Sequence, residues 1–187
     1  MSKKKKEDGS EYDPATMAAL LKEKPKRGRP PRKVSRQNVY VALRPWEKKQ
    51  MKAIAGGLPE GIVRADIADL AITVLSAHLE ALRQAVAGRT REIPEGVTDM
   101  DSLYLLWDLP LPSSDAEEKW TSVRCSPQQV IELGRAHGTL NAAFGASRSD
   151  TFRLALALLD QFLNETPLPA SPQTLEQLRE FLLKTPN

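Results

Sequence analysis

Two stretches of the chain alternate apolar and polar residues at period two and then change to helical periodicity. In NVYVALRPWEKKQ the apolar positions are Val39, Val41 and Leu43, and in WTSVRCSPQQVIEL the inward positions are Thr121, Val123 and Cys125. A proline follows each alternation by two residues, Pro45 and Pro127, where a ring with fixed φ and no N–H suits the first turn of a helix. Each then runs through a helical stretch of 11 residues, a glycine-containing loop (AGGLPEG or FGAS) and a longer helix. In the longer helix of the first stretch the apolar stripe is Ile67, Leu70, Ala71, Val74, Leu75, His78 and Leu79. In the second it is Thr151, Leu154, Ala155, Leu158, Leu159, Phe162 and Leu163, each 84 positions on, whereas the strands are offset by 82. The chain therefore contains two copies of strand, helix, loop, helix.

One such copy, of about 45 residues, leaves a lone strand without backbone partners and has too small a core to stand alone. The economical partner is the other copy. The expected fold is mainly α with a short two-stranded antiparallel ribbon, an intramolecular pseudo-dimer with four helices packed beneath the ribbon. The outward face of that ribbon then carries Asn38, Tyr40 and Ala42 from one strand and Trp120, Ser122 and Arg124 from the other. Trp120, large for such a position, is expected to fold over the ribbon edge. The remaining segments give the layout: an arm at 1–36, copy one at 37–87, a connector at 88–119, copy two at 120–166 and a C-terminal segment at 167–187. In the last, Ser171 and Pro172 suit a helix start, and Leu175, Leu178, Leu182 and Leu183 fall on one face.

Charge sharpens this layout. The formal net charge is +3, but residues 1–36 hold 12 basic and 5 acidic groups and residues 88–119 hold 3 basic and 8 acidic ones. Polyanion binding is thus expected of the arm rather than of bulk charge on the folded body. The arm has too few apolar residues to offset its ordering entropy and reads as disordered. The acidic connector contains SLYLLWDLPLP, with Leu103, Tyr104, Leu106 and Trp107. If this run packs on the body it is structural, and if it is exposed residues 102–112 are a candidate protein-binding segment.

The second copy, SVRCSPQQVIEL followed by GASRSDTFRLAL, resembles the ribbon-helix-helix (Arc, MetJ, CopG) DNA-binding family, with its strand-Pro-helix opening and its G-x-S-x-S-[DE]-x-x-R-x-A-L second-helix start. The first copy, YVALRPWEKKQ with VRADIADLAI, has Ala65 where Ser149 stands and Asp69 where Arg153 stands. Two copies in one polypeptide are similar to the TraY type of conjugative-plasmid protein. The resemblance implies a ribbon seated in the DNA major groove, with outward side chains on base edges and the second helices' amino ends against phosphates. Carried onto this chain, Asn38, Tyr40, Ala42, Trp120, Ser122 and Arg124 become base readers, and Arg64, Ala65, Arg148 and Ser149 become phosphate anchors. Because the strands differ, the half-sites are expected to differ too.

The stretch KPKRGRPPRK at 24–33 has six positive charges and three prolines. Its centre resembles an AT-hook, which implies an extended strand in the narrow minor groove of A·T-rich DNA with Lys26, Arg27, Gly28, Arg29, Pro30, Arg32 and Lys33 along it. The expected function is sequence-specific binding of double-stranded DNA, as a repressor or a plasmid maintenance or transfer factor, by a monomeric pseudo-dimer that binds alone or side by side with other copies. The alternative is an antitoxin-like interaction module whose connector or C-terminal helix binds a protein, with DNA binding serving autoregulation. Nothing suggests an enzyme or a cofactor: Cys125 is the single cysteine, and His78 and His137 lack metal-ligand spacing. Cys125 and His78 fall on core-facing positions, and His137 is expected at the surface. No run is long enough to span a membrane and no apolar leader opens the chain, so a cytoplasmic, nucleoid-associated address is expected.

Overall fold

Strand β1, Gln37–Leu43, pairs antiparallel with β2, Lys119–Cys125, although residues 44–118 separate them along the chain. The structure is a computed structural model that describes residues 35–87, 97–112, 117–168 and 174–184. Residues 1–34 of the expected arm, with the AT-hook-like positions 26–33, lie outside them, as do 88–96 of the connector. Around the ribbon are α1 (Pro45–Gly57), a short 3-10 turn (Arg64–Asp66), α2 (Ile67–Ala87), α3 (Met100–Leu106), α4 (Pro127–Phe144), α5 (Arg148–Glu165) and α6 (Leu175–Lys184). The described chain is thus mainly helical with one small two-stranded antiparallel sheet.

The period-two reading accounts for the ribbon's buried side. Val39, Val41, Leu43, Val123 and Cys125 are all buried, and Thr121 is half-buried. Beneath them α2 packs on α5, and α1, α4 and α6 close the flanks. The first halves of α2 and α5 are surrounded on every side. Each residue from Ile67 to Leu75 and from Thr151 to Leu156 is buried, including Ile72 and Leu156, which lie off the expected stripes. A stripe describes a helix with one solvent face, whereas here the ribbon, the opposite helix and the flanking helices leave none.

Local chemistry sets the helix ends. Pro45 and Pro127 occupy the first turns of α1 and α4. Ser147 Oγ accepts the Asp150 N–H at 3.2 Å while Asp150 Oδ2 accepts the Ser147 N–H at 2.8 Å, a reciprocal cap that starts α5. Helix α4 runs 18 residues rather than 11 and stops where Gly145 takes a left-handed conformation (φ 68°) and donates its N–H to Asn141 O. Helix α6 begins at Leu175, with Thr174 Oγ1 accepting the Gln177 N–H, and the expected helix start at Ser171 and Pro172 lies outside the described residues. Leu178 and Leu182 are buried against the body, but Leu183 is exposed and departs from the expected apolar face. His137, expected at the surface, is half-buried on α4, and His78 is half-buried against Trp107.

The described middle of the connector, 97–112, packs on the body. Asp99 Oδ1 accepts the Ser102 N–H at 2.8 Å and opens α3, which buries Leu103 and Tyr104, and Leu109 follows them into the core. Asp108 turns the chain between them with φ 53°.

Candidate nucleic-acid interface

Opposite the core, the ribbon presents a row of side chains set by its register. Asn38 lies across from Arg124, Tyr40 from Ser122 and Ala42 from Trp120. Asn38, Ser122 and Arg124 are exposed, Tyr40 is 64% exposed and Trp120 74%. From Asn38 to Ala42 the row is about 13 Å long at a strand rise of roughly 3.3 Å. The row has polarity: donors and acceptors of Asn38 and Arg124 at one end, the indole of Trp120 at the other. Trp120 stays outward rather than folding into contact at the edge.

Two expected contact residues are withdrawn from this surface. Ala42 is 7% exposed, and its N–H donates to Ser149 Oγ at 2.9 Å, so the ribbon lies too close to the start of α5 for the methyl to reach outward. Ser149, 7% exposed, is occupied by that bond, and its hydroxyl ties strand to helix instead of meeting a phosphate. The other expected anchors divide similarly. Arg64 and Arg148 are exposed at the starts of the 3-10 turn and α5, while half-buried Ala65 offers its carbonyl to the Arg36 guanidinium.

Each end of the ribbon is backed by a charge cluster, buried at one end and partly exposed through Glu118 and Asp150 at the other. At the Asn38/Arg124 end, Arg36 pairs with Asp66 and, at 3.3 Å, with Asp69, and it donates to the carbonyls of Ala65 and Arg124. Asp69 Oδ1 also accepts the Ser126 N–H at 2.9 Å. At the Trp120 end, Arg153 contacts Glu118 at 2.8 Å, Asp150 at 3.1 Å and Glu47 at 3.9 Å, and Arg44 reaches Glu118 at 3.5 Å. Burial pushes the Asp69 and Glu47 carboxyls above their usual range, opposed in Asp69 by the Ser126 N–H and Arg36 and in Glu47 by the Arg44 N–H and Arg153. Arg36, counted with the basic arm from its sequence, is thus committed to the body: its side chain is 7% exposed.

These clusters went unseen in the motif reading, yet a signal for them was present. The strand offset of 82 places Arg36 on Glu118, and the helix offset of 84 places Asp69 on Arg153. One ion pair therefore occurs in both copies with its charges exchanged. Among the described residues no group of His, Cys, Asp and Glu could hold a metal ion, and no helix is long and apolar enough to cross a membrane. The Cys125 thiol is buried and pushed up to about 12, which keeps it protonated and unreactive at neutral pH. A cavity of about 300 Å³ lies among Trp46, Gln50, Tyr104, Arg153, Asp160 and Asn164. No protein-family model matches the chain, and neither does any curated protein or solved structure.

Proposed function

We propose that this chain is a sequence-specific, double-stranded-DNA-binding protein of the ribbon-helix-helix type, in which two copies close on each other as an intramolecular pseudo-dimer. The observation that carries the reading is the exposed row on the ribbon. A two-stranded ribbon fits the major groove, and Arg124 and Asn38 are the side-chain types that address guanine and adenine edges in bidentate fashion. Exposed aromatics on a bare sheet face otherwise have no structural use, and Tyr40 and Trp120 offer apolar contact to thymine methyls. The register supports the pseudo-dimer: its central pair, Tyr40 and Ser122, are the residues that the 82-residue repeat equates. Arg64 and Arg148, exposed at helix starts, are the phosphate anchors that remain.

The bound site is asymmetric under this reading, with a G·C pair under Arg124 and an apolar contact under Trp120. Under this reading the basic residues that precede Arg36 in the sequence supply most of the salt dependence of binding. A repressor or a plasmid maintenance or transfer factor works by occupying such a site. The rival reading, a partner-binding connector, is weakened by burial of Leu103, Tyr104 and Leu109, although Leu105 is 64% exposed.

Selection of bound fragments from random DNA tests the proposal. The full chain should enrich one non-palindromic motif, and Arg124→Ala should lose discrimination by about 1–3 kcal/mol at one base pair while weak binding survives. Enrichment of no motif would defeat it.

A further inference from the structure

The two charge clusters differ in a way that the DNA-binding reading does not use. Strand and helix offsets equate Arg44 with Ser126 and Glu47 with Gln129, beside the exchanged pairs Arg36/Glu118 and Asp69/Arg153. Across the ribbon, Arg44 meets Glu118 at 3.5 Å and Glu47 meets Arg153 at 3.9 Å. At the opposite end their neutral counterparts Ser126 and Gln129 hold the equivalent positions, and the Ser126 N–H bonds to Asp69. Glu47, Gln129 and Asp69 are all fully enclosed, so the contacts of Glu47 and Asp69 are made away from water, whereas the Glu118 side chain is 36% exposed.

We infer that this charge pattern is a pairing code that makes copy one select copy two and reject another copy one. The inference rests on the pseudo-dimer reading above. If a second chain's copy one replaced copy two, Arg44 would face Arg36 where it now faces Glu118, and Glu47 would face Asp69 where it now faces Arg153. Both contacts would join like charges at both ends of the ribbon, the carboxylates in a desolvated site and the guanidinium groups at its partly exposed edge. The single Arg44 N–H, already bound to Glu47 at 2.6 Å, would also stand where Asp69 receives a donor of its own. Copy two against copy two would set Ser126 beside Glu118 and Gln129 beside Arg153, forming no ion pair across the ribbon, and the Ser126 N–H would face the Arg153 guanidinium in place of its Asp69 acceptor. Only the mixed pairing gains. Buried ion pairs add little net stability, but removing a partner or opposing like charges is costly, which suits them to choosing between pairings.

The test uses full-length chains carrying Cys125→Ala and a reporter at the centre of the ribbon, where repeat-equivalent residues meet. Tyr40→Cys sets two thiols opposite each other when copy one pairs with copy one, and because position 40 is 64% exposed the native-charge chain gives the background from collision. Tyr40→Cys with Ser122→Cys closes within one chain when the copies pair as seen. Chains are refolded from denaturant in a glutathione buffer, checked for native helical circular dichroism and run on non-reducing gels. With native charges the chain carrying Tyr40→Cys alone should stay monomeric apart from that background. Arg44→Ser with Glu47→Gln gives copy one the neutral residues of copy two, which removes the charge preference while tethering and the Ser126–Asp69 bond remain, and the interchain fraction should rise about tenfold or more. The milder Glu47→Gln alone should raise it by less. An interchain fraction unchanged in both variants, with the double-cysteine control closing within the chain, overturns the pairing code and leaves the pseudo-dimer standing. A control that never closes within the chain overturns both.

Discussion

Asp69→Ala perturbs the enclosed carboxylate that joins the two halves of the chain. Its Oδ1 accepts the Ser126 N–H at 2.9 Å from the second half, and its Oδ2 lies 3.3 Å from Arg36 in the first. Alanine leaves that N–H without its acceptor, a loss of about 1–3 kcal/mol for a buried donor. Arg36 keeps Asp66, so the roughly 3–5 kcal/mol of a fully broken buried pair is not reached, and relief of the carboxylate's own desolvation offsets part of the rest. The expected net loss is about 2–3 kcal/mol, or a fall in Tm of about 5–10 °C for a domain of this size. Thermal and urea unfolding followed by far-UV circular dichroism measure it. Asp69→Asn keeps an acceptor for Ser126 and sheds the buried charge, so it should cost about 1 kcal/mol or less. The pH dependence has a defined sign. Burial raises the folded carboxyl above its ordinary value of 3.8, so above that pH the native state holds more protons than the unfolded one. Asp69 therefore lowers stability as pH rises from about 4 through its raised folded value, and Asp69→Asn should remove that slope. An Ala variant within about 0.5 kcal/mol of the parent, or an Asn variant as damaged as Ala, would refute the assignment.

Other substitutions probe the remaining parts. Trp120→Ala should leave stability within about 0.5 kcal/mol, because the ring is mostly exposed, yet weaken binding of the selected DNA in titrations at fixed salt. Gly145→Ala should cost about 1 kcal/mol in urea unfolding, since a Cβ there meets nothing within 4 Å and only the left-handed backbone resists it. Burial lowers the His78 imidazole from its usual 6.5, so its contribution is full above that value and is lost as pH falls toward the folded one. His78→Phe should flatten the acid side of the stability profile measured by circular dichroism.

The two strands and the helix pair after each were readable because each is a local pattern: alternation at 39–43 and 121–125, a proline two residues on, and apolar spacing in α2 and α5. Helix α3 was legible only as an apolar run, and the full length of α4 was not. The ribbon followed from one further physical demand, that a lone strand must find a partner. The candidate surface was readable to the extent that alternation assigns sides, which holds for Asn38, Tyr40, Ser122 and Arg124. It failed at Ala42 and Ser149, because side assignment says nothing of how closely a helix end approaches a strand. Arg36 was misplaced for a related reason: its neighbours are basic, and its carboxylate partners lie 30 and 33 residues away.

Periodicity and prolines thus determined the two strands, the helix pair that follows each and the sides of the ribbon, since these depend on residues within a turn or two of one another. Packing decided the rest: which stretches of α2 and α5 have no solvent face, that the connector docks through Leu103 and Tyr104, and that four ionisable side chains at equivalent positions become two reversed ion pairs. Burial and a charge's partner are properties of what surrounds a residue, and those surroundings exist only once distant segments have met.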